Sequence, residues 1–241
     1  MISVCMATYN GENYIRSQIS SILPQLGEND ELIISDDGST DATLDIISEI
    51  NDSRIILLKN NSHCYTANFE NALIHAKGDY IFLSDQDDIW RDDKVKIAIN
   101  YLQKYNFLMS NARIVDANAN VIQESRNDVL NVGTGFLKNL IKTYNLGCCM
   151  CFDRHVLEAV LPFPKNRELC LHDAWITMIA ELCFKTYVCD EPLIDYRRHG
   201  TNVSFGSFHI HSSIPQMINI RRYLFIESLK RRKELRSKGL I

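Results

Sequence analysis

Short apolar runs that end in polar, acid-rich turns recur through the first 90 residues, with helical patterns between them. Ile2–Ala7, Glu31–Ser35, Arg54–Leu58 and Asp79–Leu83 read as buried strands. Ile15, Ile19, Ile22 and Leu23 recur at helical spacing, as do Leu44, Ile47 and Ile50, and then Phe69, Ala72, Leu73 and Ala76. Pro24 stops the first helix, and Ser39 or Thr40 is placed to cap the second. Strand and helix alternate four times, which predicts an α/β fold with a mostly parallel sheet flanked by helices.

A parallel sheet puts the ends of its strands on one edge, where open α/β sheets bind ligands. Three turns therefore converge: Thr8-Tyr9-Asn10, Asp36-Asp37 and Asp85-Gln86-Asp87. A carboxylate after the second strand can accept from a base N–H or from ribose hydroxyls. A tyrosine after the first strand can pack against a base. Asp85 and Asp87, one residue apart, suit a hard divalent cation shared with a diphosphate. Each turn has a plainer reading. Asp36 to Asp41 is also a turn leading into a helix cap, and the acids before Trp90 also suit a helix start. Co-location of five acidic residues on one edge favours the binding reading.

Composition narrows the classes. At 241 residues the chain can bury one good core, and 46% hydrophobic with 23% charged residues is ordinary for a globular protein. From Ile214 on, eight basic residues face two acidic ones, a net +6 that leaves −10 on the first 213 residues. A body that acidic excludes a nucleic-acid partner. Met1 to Ala7 is too short and lacks the basic flank of a signal peptide, and no apolar run reaches the roughly 20 residues that span a bilayer. The expected location is the cytosol or the cytosolic face of a membrane. The eight cysteines are then reduced thiols. The one tight cluster, Cys148-Cys149-Met150-Cys151, lacks paired metal-ligand spacing and reads as small hydrophobes.

The second half is less regular. Phe107–Ser110 and Ala112–Asp116 read as two strands, Gly147–Phe152 as another, and Thr186–Cys189 and Pro192–Tyr196 as two more. Asp153 caps a helix running to Leu161, and His172-Asp173 opens one carrying Trp175, Ile176, Ile179 and Leu182. Ile218, Tyr223, Leu224, Phe225 and Leu229 interleave with the basic residues of the tail. That pattern suits a helix lying on an anionic membrane face, or a helix docked on the body by the same side chains.

Val4–Gly11, Ile33–Asp41 and Gly78–Trp90 together resemble the family-2 glycosyltransferases of the GT-A fold. The third segment is similar to the subgroup that extends bacterial surface polysaccharides, rhamnosyltransferases included. The resemblance implies a nucleotide-diphospho-sugar transferase fold over residues 1–213. Residues 1–105 would form the nucleotide-sugar half and 106–213 the acceptor half, followed by a basic tail, 214–241.

The resemblance also implies roles. Ala7, Thr8, Tyr9, Asp36, Asp37 and Asp85 would contact the nucleotide. Asp85 and Asp87, with Asp88 and His199 as further candidates, would hold Mn²⁺ or Mg²⁺. Asp173 would be the general base of an inverting displacement. His172, which stands where the family more often has Glu, would contact the acceptor with Trp175 and Gly147. Arg197 and Arg198 would approach the donor phosphates. The implied donor is a UDP- or dTDP-sugar, and the implied acceptor a growing glycan on a lipid diphosphate. A nucleotidyltransferase would need a glycine-rich basic loop where Thr8-Tyr9-Asn10-Gly11-Glu12 stands. A non-catalytic binding relative would need Asp173 to lie far from the acidic rim.

Overall fold

The computed structural model describes residues 1–142, 145–199 and 213–241. In it the four apolar runs are β1 (Ile2–Thr8), β2 (Glu31–Asp36), β3 (Ile55–Lys59) and β4 (Tyr80–Ser84). Between them lie α1 (Ile15–Ile22), α2 (Thr43–Ile50) and α3 (Tyr65–His75). The second half adds β5 (Ile89–Trp90), α4 (Lys94–Leu102), β6 (Phe107–Val115), β7 (Val121–Gln123) and α5 (Phe136–Ile141). It continues through β8 (Met150–Asp153), α6 (Arg154–Val160), α7 (His172–Cys183), β9 (Thr186–Arg197) and α8 (Ile214–Ser237).

One sheet runs in the order β3-β2-β1-β4-β8-β6-β9-β5, with β7 on β6. β3, β2, β1 and β4 pair in parallel, and β8 enters antiparallel between β4 and β6. β9 returns parallel to β6 and carries β5 antiparallel at its edge. The result is the α/β fold the alternation predicts, curled and mixed in its second half. Thr8 pairs with Asp36, and Met6 with Ser84, so β1, β2 and β4 end on one edge. Met6, Ile33, Ile34, Phe82 and Leu83 are wholly buried between the helix layers, which is why these strands read as continuous apolar runs.

Several local expectations are corrected. Ser39 and Thr40 do not cap α2. Ser39 Oγ donates to Asp36, and Asp41 accepts from the Thr43 amide at 3.0 Å just ahead of the helix. Phe107–Ser110 and Ala112–Asp116 fuse into one strand, β6, and Thr186–Cys189 and Pro192–Tyr196 fuse into β9. These two strands pair along most of their length, with register shifts absorbing the irregular middle. Gly147–Cys149 is a 3₁₀ turn rather than the start of a strand. Asp153 does cap α6, accepting from Val156 N at 3.1 Å.

Two features place α7. Glu70 on α3 is buried; it accepts from Phe163 N at 2.6 Å and pairs with Arg167, so the segment entering α7 is tied to the first half of the sheet. α8 lies against α7 through buried Leu224 and Leu235, each worth about 1.5–3 kcal/mol of burial. Arg231 donates to the carbonyls of Leu161 and Pro162, and its guanidinium stands 5.9 Å from the Trp175 ring. The basic segment is thus a docked helix on its inner face.

Candidate active site

The turn after β1 and the turn after β4 are joined by one side chain. Gln86 Nε2 donates to the Tyr9 carbonyl at 3.0 Å, while its Oε1 accepts from Tyr9 N at 2.9 Å and from Thr8 Oγ1. Gly11 is required beside it, because a Cβ there would stand 2.6 Å from Gln86 Cδ. The middle residue of the acidic triplet is therefore a bracket that sets Asp85 and Asp87 relative to β1. Nothing in the spacing of Asp85-Gln86-Asp87 announces this, because the partner is 77 residues away.

Asp36 and Asp37 lie on the same edge, but both are buried and engaged by their own loops. Asp36 accepts from Gly38 N, Ser39 N and Ser39 Oγ. Asp37 accepts from the amides of Ser62, His63 and Cys64 at 2.8, 3.1 and 2.8 Å. These bonds fix both carboxylates in the wall of the rim. Tyr9 is 51% exposed beside them.

The acids after β4 divide by environment. Asp88 is fully buried; its Oδ1 accepts from Arg197 N at 3.1 Å, and its Oδ2 has no hydrogen-bond partner among the described residues. Burial first, and then the charges of Asp87 and Asp85, hold its carboxyl well above the usual range. Asp85, partly exposed at the rim, is pushed up to about 7 by desolvation and then by Asp87. Asp87 meets His199 Nε2 at 2.8 Å. His199 stacks on Tyr14 with ring centroids 4.6 Å apart, and the Arg197 guanidinium sits 5.0 Å from the same tyrosine ring. Arg197 also donates to the Asp87 carbonyl at 2.9 Å and is 5% exposed, so it is part of the rim's frame. Arg198 is exposed. Gly200, Thr201 and Asn202 of the same motif lie outside the described residues.

Beneath the rim is a cation absent from the sequence expectations. Lys94 is 1% exposed, donates to the Cys148 carbonyl at 2.9 Å and lies 4.1 Å over the Trp90 ring. Cys148 is not merely core. Ligand atoms of Asp85, Asp88 and Cys148 lie within 4.8 Å of one another, a group competent to hold a metal ion. The unpartnered Asp88 oxygen and the Asp87–His199 pair beside it fit a divalent cation.

α7 brings Asp173 to this place. It lies in the helix's first turn, near enough to Asp85 for its charge to raise that group and near enough to Tyr65 to raise the phenol. His172 is 7% exposed and faces Gly147, itself buried. Trp175 is corrected. It is 1% exposed and its Nε1 donates to the Val160 carbonyl at 2.8 Å, so it is a core anchor under α8 and cannot touch an acceptor.

A raised carboxyl pKa costs folding stability wherever the unfolded chain is ionised. For Asp85 that cost begins above the ordinary 3.8, grows toward pH 7 and is complete above it. Asp85→Asn should therefore raise the melting temperature of the metal-free protein more at pH 8 than at pH 5, by roughly 2–4 °C for each kcal/mol relieved. Equal shifts at both values, read by thermal unfolding in chelator, would contradict the assignment.

The model of the family described as "Glycosyl transferase family 2" matches residues 3–161. The chain is 30% identical over 213 residues to the Escherichia coli UDP-Glc:alpha-D-GlcNAc-diphosphoundecaprenol beta-1,3-glucosyltransferase WfgD, covering 86% of this chain and 81% of that one. Among solved structures, S. aureus TarS 1–349 in complex with UDP-GlcNAc superposes with a TM-score of 0.72 at 21% identity. That match covers 94% of this chain and 66% of TarS 1–349, so this chain spans just under two thirds of it. Glucosyl-3-phosphoglycerate synthase from Mycobacterium tuberculosis, in complex with Mn²⁺, UDP and glucosyl-3-phosphoglycerate, superposes with a TM-score of 0.58 at 19% identity, covering 96% of this chain and 79% of that one. The likeness to both structures concerns the fold. With the family model spanning both the parallel edge and the acidic rim, the chain belongs to glycosyl transferase family 2.

Proposed function

We propose that the chain, a glycosyltransferase that passes a sugar from a nucleotide-sugar donor to a glycan acceptor, does so with inversion, from a UDP-sugar to a hydroxyl of a glycan carried on a lipid diphosphate. The observation that supports this reading is the packing of His172, which opens α7 beside Asp173, against Gly147, whose neighbour Cys148 groups with Asp85 and Asp88 under the rim.

In this reading the uridine lies along Thr8 and Tyr9, against the loops shaped by Asp36 and Asp37. Asp87 and His199, with Asp85, would hold the cation. A donor set that includes imidazole suits Mn²⁺ better than Mg²⁺, which prefers oxygen ligands throughout. A cation there would supply positive charge to the diphosphate leaving group. Arg197 and Gln86 keep the carboxylates in register. Asp173 takes the proton of the acceptor hydroxyl as that oxygen bonds to the anomeric carbon and the bond from that carbon to the phosphate oxygen breaks.

The test joins a donor screen with a variant. UDP- and dTDP-sugars with Mn²⁺ are offered to wild type and to Asp173→Asn. Wild type should turn over a UDP-sugar, and the variant should lose at least about 10²-fold in kcat, the range expected for a general base, while binding UDP as wild type does. Turnover in Asp173→Asn like that of wild type would remove it from the role. A wild type that binds only dTDP-sugars would overturn the donor assignment.

The lipid-linked acceptor places the enzyme at a membrane, on the cytoplasmic face where nucleotide sugars are made. What supports this is the outer face of α8. Ile214, Ile218, Phe225 and Leu229 are exposed along a stripe that flanks the face of buried Leu224 and Leu235, with Arg222, Lys233 and Arg236 on the same side. Phe225 meets Phe136 of α5 at 6.1 Å, and α5 adds Leu137 and Ile141, 63% and 66% exposed. No described helix is long and apolar enough to cross a membrane. The chain should sediment with anionic vesicles and lose that binding in Ile218→Glu/Phe225→Glu. Retention by the double variant, or equal binding to neutral vesicles, would exclude this face.

A further inference from the structure

Tyr65, the first residue of α3, has no part in the reading above, yet it is 41% exposed at the rim. Its ring stands edge-on to His172, centroids 6.0 Å apart at 82°. His172 in turn lies flat on Phe69, 4.1 Å away at 21°. The three rings form a wall that runs from the core to the surface and ends in Tyr65.

The inner rings are fixed. Phe69 is 2% exposed and His172 is 7% exposed. Both His172 nitrogens are buried with no hydrogen-bond partner among the described residues, and burial pushes the imidazole's pKa down, so the ring is neutral and packs as a plate. Bare backbone at Gly147 makes room for it, since a Cβ there would stand 2.7 Å from Nε2. The outer ring is fixed as well. The three residues before Tyr65 each give a backbone amide to Asp37, so the loop that delivers the phenol is pinned to the end of β2. Beside the wall is Asp173, next in sequence to His172, whose charge joins with desolvation in pushing the Tyr65 phenol up to about 12. A rigid, half-exposed aromatic face beside the proton acceptor suits one class of ligand. A pyranose offers an apolar C–H face ringed by hydroxyls, and tyrosine offers an apolar ring with a polar tip. The ring is held in place before the ligand arrives, so little side-chain freedom is lost on binding.

We propose that Tyr65 is the stacking platform of the acceptor subsite, its ring covering the apolar face of the sugar whose hydroxyl Asp173 deprotonates. The inference rests on Asp173 as the base and adds the surface that presents the acceptor to it.

Initial-rate kinetics with UDP-glucose, Mn²⁺ and a synthetic GlcNAc-α-diphosphate-alkyl acceptor test the subsite in Tyr65→Ala, Tyr65→Phe and Tyr65→Trp. Tyr65→Ala should raise the acceptor KM about tenfold, the effect of one lost aromatic contact, with kcat and donor KM within about threefold of wild type. Phe and Trp should restore the acceptor KM, which a purely structural role for the phenol would not permit. Unfolding midpoints within a few degrees of wild type confirm an intact fold. An unchanged acceptor KM in Tyr65→Ala, or a rise confined to the donor KM, overturns the subsite alone. A wild type that turns over neither this pair nor any other sugar nucleotide overturns the transferase reading, and the subsite with it.

Discussion

Gln86 pairs its amide with both backbone groups of Tyr9 and so fastens the end of β4 to the end of β1. The chemistry of the rim depends on that fastening. Asp85, Asp87, Asp88 and Asp173 repel one another, and a flexible loop would spread them into solvent. Here Gln86 holds one side of the triplet while Arg197 holds the other, donating to the Asp87 carbonyl and, through its backbone amide, to Asp88. Lys94 Nζ donates to the Cys148 carbonyl below. Burial and then the neighbouring acids hold the Asp85 and Asp88 carboxyls up, and a divalent cation would relieve them.

The second half of the chain delivers the opposite side of the site. Its strands enter antiparallel at β8 and return at β9, which carries Arg197 and then His199 back over the rim. Glu70 ties the segment before α7 to α3, so Asp173 and Tyr65 are set by the same local frame. The acidic rim and the start of α7 thus lie where the parallel and mixed parts of one sheet join.

The rim was legible because its signals are local. An apolar run followed by an acidic turn announces both the strand and the edge on which it ends, which places Asp85 and Asp87 on the rim, while Asp173 and His199 enter as candidates through the family's motifs. What was not legible depends on partners far along the chain. Gln86 reads as a spacer until Tyr9 is beside it. Lys94 reads as a surface helix residue until Trp90 and Cys148 enclose it. That loop amides brace Asp37 is likewise not legible, because Ser62, His63 and Cys64 lie 25 to 27 residues further along the chain. Trp175 sits one helical turn into α7 and faces the core, a direction that spacing alone leaves open. The breaks expected within β6 and β9 vanish because each strand supplies the other's hydrogen bonds.

The central claim is that Asp87 and His199 hold a cation that the donor's diphosphate shares. Calorimetric titration of UDP into the protein, in chelator and in saturating Mn²⁺, addresses it directly. Mn²⁺ should tighten UDP by about tenfold or more, and His199→Ala and Asp87→Ala should each erase that gain while leaving the metal-free affinity in place. Equal UDP affinity with and without Mn²⁺, or a gain that survives both substitutions, would contradict the account.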